Sequence, residues 1–213
     1  MPDTPATPHP HAPRGSDGYD VLAKWSSPSF DDATRAALAP RLAPPPPPSF
    51  FDPETFAALE AACARLLATP LGEPPLAHWI DADVAAGRGE GFRNPEMPPL
   101  QATWRQGTAG LQAQAQRRFG RSFAELAVEE QDAVLRSLQQ GDAPADEFPG
   151  GDPARFFKHV LLKAAAAHFY AQPVAWNEVG FGGPASPRGY VRIELNRRDP
   201  WEAPFAPVPG PEQ

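Results

Sequence analysis

Proline restricts this chain more than any other residue. It lacks a backbone donor and fixes φ, so it is tolerated at helix starts and in extended segments but not in helix interiors or central strands. Of the 30 prolines, twelve lie in the first fifty residues and five in the last fourteen. Both ends therefore read as extended, and a packed core is expected only between them. The run Pro44 to Pro48 reads as a short polyproline II rod that spaces the N-terminal tail from that core. Within the tail, Trp25, Phe30 and Leu38 stand out as a possible small docking patch among polar residues. The expected organisation is a largely extended arm over 1–48, a helical domain over 49–202 and a Pro-rich tail over 203–213.

A hydrophobic content of 41% in 213 residues is enough for one good core. The net charge of -7 argues against nucleic acid as a partner, because phosphate contacts need a concentrated positive field. No apolar run approaches the length of a membrane span, so no direct membrane insertion is expected. No signal peptide or twin-arginine motif is visible either. The expected compartment is the cytoplasm, or the periplasm if the chain is exported with a partner. The single cysteine, Cys63, excludes an internal disulfide and reads as a small buried apolar residue among alanines rather than a reactive thiol.

Helical patterns fill residues 50 to 172. Asp52 followed by Pro53 supplies a side-chain acceptor and a proline at the first helical position, and Phe56, Leu59, Cys63, Leu66 and Leu67 then recur at helical spacing up to Pro70. A shorter helix is expected over Leu76 to Ala86, with Gly87 as its stop and His78 and Asp81 as a surface pair. Pro98 and Pro99 open a longer one through Phe119. Gly107 and Gly110 weaken its middle by about 1 kcal/mol each relative to alanine, a cost consistent with close approach of another backbone. Ser122 and Glu125 form a possible capping box before a helix over Val128 to Gln140, closed by Gly141. Asp152-Pro153 starts the expected central core helix, whose broad face carries Phe156, Phe157, Val160, Leu161, Ala164, Ala167 and His168 and which Pro173 ends.

The segment WNEVGFGGPASPRGY, Trp176 to Tyr190, then places four glycines and two prolines among three large aromatics. Its glycines are out of register for GxGxxG, and no P-loop lysine follows, so a nucleotide site is a poor reading. Trp176, Phe181 and Tyr190 are poor residues to leave in solvent, which also argues against a plain linker. Val191, Ile193 and Leu195 alternate with Arg192, Glu194 and Asn196 and read as one short strand-like segment.

No catalytic constellation emerges. The histidines at 9, 11, 78, 159 and 168 lack HExxH spacing, Ser186 has no evident base, and Glu129-Glu130 suits the first turn of a helix. Arginine clusters at Arg188, Arg192, Arg197 and Arg198, and again at Arg105, Arg117, Arg118 and Arg121. Each cluster reads either as a solvated basic edge or as a docking patch for an acidic partner.

The Phe-Phe helix ending at Phe169-Tyr170, the segment WNEVGFGGPASPRGY and the stretch RRDPWE at Arg197 to Glu202 together resemble the gluconate 2-dehydrogenase subunit 3 family, over roughly Ser49 to Glu202. The resemblance implies a mainly α fold. With the pattern above, the expectation is a single helical domain of about five helices, extended Pro-rich termini, a Gly-rich docking loop and a strand-like segment. It also implies a non-catalytic small subunit that binds, stabilises or matures an FAD-dependent large subunit of the glucose-methanol-choline class. A separate cytochrome c subunit carrying haem c often accompanies that pair. No cofactor or metal is expected in this chain. The partner-binding residues expected from the docking-loop reading are Trp176, Asn177, Phe181, Gly182, Gly183, Arg188, Tyr190, Arg192, Arg197, Arg198 and Trp201. Two other classes stay open: a free-standing interaction or scaffold protein that offers Pro44 to Pro48 to a proline-binding domain, and an independent small enzyme.

Overall fold

In the computed structural model, residues 20–27, 29–89 and 94–184 are described. The chain divides into two units, Pro44–Phe169 and a second that joins Met1–Ala43 to Tyr170–Gln213. The fold is mainly α, and no strand occurs among the described residues. The expected strand-like segment after Tyr190 lies outside them. No described helix is long and apolar enough to cross a membrane.

The Pro44–Phe169 unit starts from the proline rod. Immediately after it, the carboxylate of Asp81 accepts hydrogen bonds from the backbone N–H groups of Ser49 (2.6 Å), Phe50 (3.0 Å) and Phe51 (2.9 Å). Asp81 is fully buried, and a buried charge is tolerated only when hydrogen bonds replace its lost water. The expected surface pair of His78 and Asp81 is therefore corrected: Asp81 faces inward to hold the chain before α2 (Pro53–Leu67), and His78 Nδ1 sits 2.8 Å from Pro46 O. Asp52 caps α2 as its sequence requires, with Oδ1 accepting from Thr55 N at 2.9 Å and Oδ2 from its hydroxyl at 2.8 Å. These bonds hold the Asp52 carboxyl below its usual range.

The next helices follow the expected bounds: α3 (Leu76–Ala85), α4 (Leu100–Phe119) and α5 (Val128–Gln140). Helix α2 packs on α3, α4 and α5, and α5 also packs on α4 and on α6 (Pro153–Phe156). Leu59, Ile80, Leu111, Val134, Leu138 and Leu161 are no more than 1% exposed. Burial of each contributes about 1.5–3 kcal/mol. Arg65 on α2 grips Asp132 on α5 through two N–H···O bonds of 2.8 and 2.9 Å. Ser122 and Glu125 form the expected capping box, with Glu125 Oε2 accepting from Ser122 N at 3.3 Å, and it caps a 3-10 turn, Phe123–Glu125, that precedes α5. The N-terminus of α5 is held by Glu130, whose Oε2 accepts from Ala127 N at 2.9 Å.

A π-helical turn, Phe157–Leu161, joins α6 to α7 (Leu162–Tyr170). The wide turn shifts the register, so the buried face is Phe156, Phe157, Leu161, Ala165 and Phe169. Val160, Ala164 and His168, expected on that face, are only half-buried, and Ala167 is exposed. An aromatic series runs from Phe51 to Trp104 (6.1 Å), from Trp104 to Phe156 (6.1 Å) and from Phe156 to Phe148 (6.0 Å). The glycines of α4 make room for it: a Cβ at Gly107 would lie 2.0 Å from the Phe156 ring, and one at Gly110 would lie 2.8 Å from Glu147 O.

The second unit contains helix where the sequence reads as an extended arm. Val21–Lys24 forms a 3-10 turn capped by Asp20, and α1 (Asp32–Leu42) is capped by Asp31, whose Oδ1 accepts from Thr34 N at 2.7 Å. Pro40 falls in the last turn of α1. Pro173 likewise starts a helix instead of only ending one, because α8 (Pro173–Val179) follows with proline at its first position. Val21, Phe30, Leu38 and Trp176 form the core of this unit, edged by Leu22 and Trp25. Phe30 and Leu38, read from the sequence as part of a docking patch, are 1% and 2% exposed.

Two substitutions test the larger unit. Gly107→Ala gains about 1 kcal/mol of helix propensity but loses more to overpacking against Phe156, so a net loss of about 2 kcal/mol is expected in urea titration. An unchanged or raised midpoint would contradict the packing. Asp81→Ala leaves the N–H groups of Ser49, Phe50 and buried Phe51 without their acceptor and should cost about 2–3 kcal/mol by the same measurement.

Candidate docking surface

Residues 176–184 form the described part of the segment expected to bind a partner. Gln172 is extended, Pro173 opens α8, and Gly180 ends it at a left-handed φ of 69°. Phe181 N then donates back to Trp176 O at 2.9 Å. The start of the segment is thus a capped helix and not a loop.

The helix turns Trp176 and Asn177 inward. Trp176 is 6% exposed, and its Nε1 donates to Tyr170 O at 2.7 Å. Asn177 is also buried, with Oδ1 accepting from Val21 N at 2.8 Å and Nδ2 lying 3.4 Å from Asp20 Oδ1. Lys24 donates to Gly182 O and lies 5.4 Å from the Phe30 ring centroid. Gly183, at φ 83°, is buried where a Cβ would come within 2.8 Å of the Phe30 ring. Only glycine satisfies both the backbone conformation and that contact. Arg41 Nη1 donates to Ala171 O at 2.9 Å and ties α1 to the turn before α8.

Of the expected partner-binding residues, Trp176, Asn177 and Gly183 are thus occupied inside this chain. Gly182 is half-buried, and Phe181 is 41% exposed. The Phe181 ring stands edge-on to Trp176 at 5.4 Å and 88°. Arg188, Tyr190, Arg192, Arg197, Arg198 and Trp201 lie outside the described residues. Val179, missed by the sequence reading, is 59% exposed beside Phe181 in the chain, and Leu42 and Tyr170 are 44% and 53% exposed. Four of the six large hydrophobic residues most exposed among those described therefore belong to the smaller unit. Single exposed apolar side chains are ordinary in any folded chain. Helical spacing gives no sign of this exposure, because three residues after Trp176 Val179 falls on the same side of α8 as that buried ring.

The titratable groups are engaged separately. Burial, with the charge of Glu60 adding to it, pushes the Cys63 thiol up to about 12, so it is no nucleophile at neutral pH. His78 Nε2 is 4.0 Å from Glu60 on α2. His168 Nε2 is 3.4 Å from Asp83 on α3, and burial holds its imidazole below the usual range despite that carboxylate. His159 is exposed on the π turn, and Glu130 binds Arg121 at 2.6 Å. Among the described residues no three His, Cys, Asp or Glu side chains converge to hold a metal ion.

A family model described as gluconate 2-dehydrogenase subunit 3 matches residues 53–183, more than half of the chain. The match runs from the first residue of α2 to Gly183, beside Phe30. No match is found among the curated proteins or the solved structures.

Trp176 is expected to act on the fold before it acts on any partner. Trp176→Ala should cost the smaller unit about 3–5 kcal/mol, seen as faster hydrogen exchange over residues 20–43 and 170–184, whereas Phe181→Ala should leave exchange there nearly unchanged. Equal exchange in both variants would contradict the burial of Trp176.

Proposed function

Because the chain belongs to the gluconate 2-dehydrogenase subunit 3 family, we propose that it is the non-catalytic small subunit that binds and stabilises or matures the FAD-containing catalytic subunit of a sugar, polyol or alcohol dehydrogenase. The family match over residues 53–183 carries this reading. Membership implies a place in a multisubunit gluconate 2-dehydrogenase complex. In the proposed complex the partner is a glucose-methanol-choline-type large subunit that holds the flavin, and a cytochrome c subunit with haem c accepts the electrons. This chain contributes no cofactor-binding or catalytic group.

The exposed apolar residues of the smaller unit give the proposal a surface. Phe181 and Val179 are the contact residues, and Trp176, Asn177, Gly182 and Gly183 set the backbone that presents them. Arg188, Tyr190, Arg192, Arg197, Arg198 and Trp201 extend the same interface in sequence. An aromatic ring already supported on one edge loses little freedom on binding, which favours Phe181 as an anchor.

A tagged chain purified gently from its native host is expected to bring down a heavier chain and a flavin absorption band. A colourless, folded monomer would remove the reading. In the recovered complex, Phe181→Ala combined with Val179→Ser is expected to weaken association by about 2 kcal/mol, roughly thirtyfold in Kd, with the fold intact. Unchanged affinity would place the interface elsewhere.

A further inference from the structure

The C-terminal halves of α4 and α5 border a cleft of about 570 Å³ within the larger unit. Its walls carry Arg117, Arg118 and Arg136, and Gln114, Ser137 and Asp142 also line it. Three arginines and one carboxylate, Asp142, line it, and Glu147 pairs with Arg117, so the positive excess rests on Arg118 and Arg136, on a chain whose net charge is -7. Arginine stays charged at any physiological pH, so the excess is permanent.

Helix electrostatics accounts for only part of this arrangement. Arg117 and Arg118 lie in the last turn of α4, where cations offset the negative end of the helix dipole. Arg117 is further held by Glu147 and by Gln114 Oε1 at 2.6 Å, and Arg118 donates to Ala133 O at 3.2 Å. No such role falls to Arg136, because the last turn of α5 contains no basic residue. Its charge acts on Asp132, whose two oxygens are already taken by Arg65. Arg136 is exposed and forms no salt bridge among the described residues.

Two of the lining residues are polar and nearly inaccessible. Gln114 and Ser137 are 4% and 5% exposed. Ser137 Oγ donates to Val134 O at 2.8 Å, and Gln114 Nε2 reaches Ser137 Oγ only at 3.5 Å. A primary amide offers two N–H donors, so Gln114 retains donor capacity in the cleft. A buried donor with one long contact is a poor element of a structural wall and a good one for an anionic oxygen.

We propose that this cleft is a binding site for a small anion bearing carboxylate or phosphate groups. The guanidinium forks of Arg118 and Arg136 match the paired oxygens of either group, and Gln114 Nε2 donates from the cleft wall. The volume lies in the range of small-molecule sites. A group that reaches such buried donors must insert, which suits a small ligand better than the flat face of a macromolecule. The site lies apart from the exposed residues of α8 in the sequence and stands independently of the dehydrogenase-subunit reading.

The test is isothermal titration of the full chain with citrate and, separately, with inorganic pyrophosphate at low ionic strength. Saturable binding of one equivalent, weakened by added salt and reduced about tenfold or more by Arg136→Gln and by Arg118→Gln, is the expected result. Both positions are exposed, and an unchanged urea midpoint verifies that the fold persists. Arg88→Gln, a change outside the cleft, should leave binding as it was. Tighter citrate binding assigns a carboxylate ligand, and tighter pyrophosphate binding a phosphate. Failure of both anions to saturate, or saturation indifferent to Arg136→Gln and Arg118→Gln, overturns the site.

Discussion

The buried carboxylate of Asp81 is the contact on which the larger unit depends. Prolines 44 to 48 offer no N–H groups, so the first residues able to donate after them are Ser49, Phe50 and Phe51, and all three N–H groups point at that one side chain. A carboxylate with no access to water needs several donors, and three successive N–H groups freed from any ladder supply them. The bond fixes the direction in which the chain enters α2 and sets the Phe51 ring against Trp104. The aromatic series to Phe156 and Phe148, and the glycines that accommodate it, follow from that placement.

The smaller unit solves a different problem. A short N-terminal segment rich in proline and polar residues has too few apolar side chains to fold alone, and Trp176 supplies the missing surface from the other end of the chain. Asn177 and Gly182 complete the join with hydrogen bonds to Val21 and Lys24. Aromatic residues that read as partner anchors are thereby divided. Trp176 holds the unit together, and Phe181, stacked on its edge, remains accessible. Folding of the unit and the exposure of Phe181 are both set by one short helix and the turn that caps it.

Charge is distributed with similar economy. Five described arginines of the larger unit are paired with specific carboxylates: Arg65 with Asp132, Arg88 with Asp83, Arg117 with Glu147, Arg121 with Glu130 and Arg155 with Glu96. Those pairs span or staple neighbouring elements, and exposed ones contribute little to stability. Against that background Arg136 is distinguished because no salt bridge holds it among the described residues, whereas Arg117 and Arg118 beside it in the cleft have partners.

Helix positions were legible because their causes are local. Asp52-Pro53, Asp152-Pro153, Gly141 and the spacing of Phe56, Leu59 and Cys63 act within one or two turns, and the helices they start, stop or populate are where the sequence places them. The role of Pro173 was ambiguous for the same local reason: proline ends a preceding helix and begins a following one with equal ease, and Gln172 in the extended conformation decided between them. The sequence by itself determined a mainly α chain with membership in a subunit family. Only the tertiary structure decided that Asp81 faces inward, that Phe30 and Leu38 bury Trp176, and which face of the Asp152-Pro153 helix is core after the π turn. Each of these depends on a contact between residues far apart along the chain, and local periodicity carries no record of such contacts.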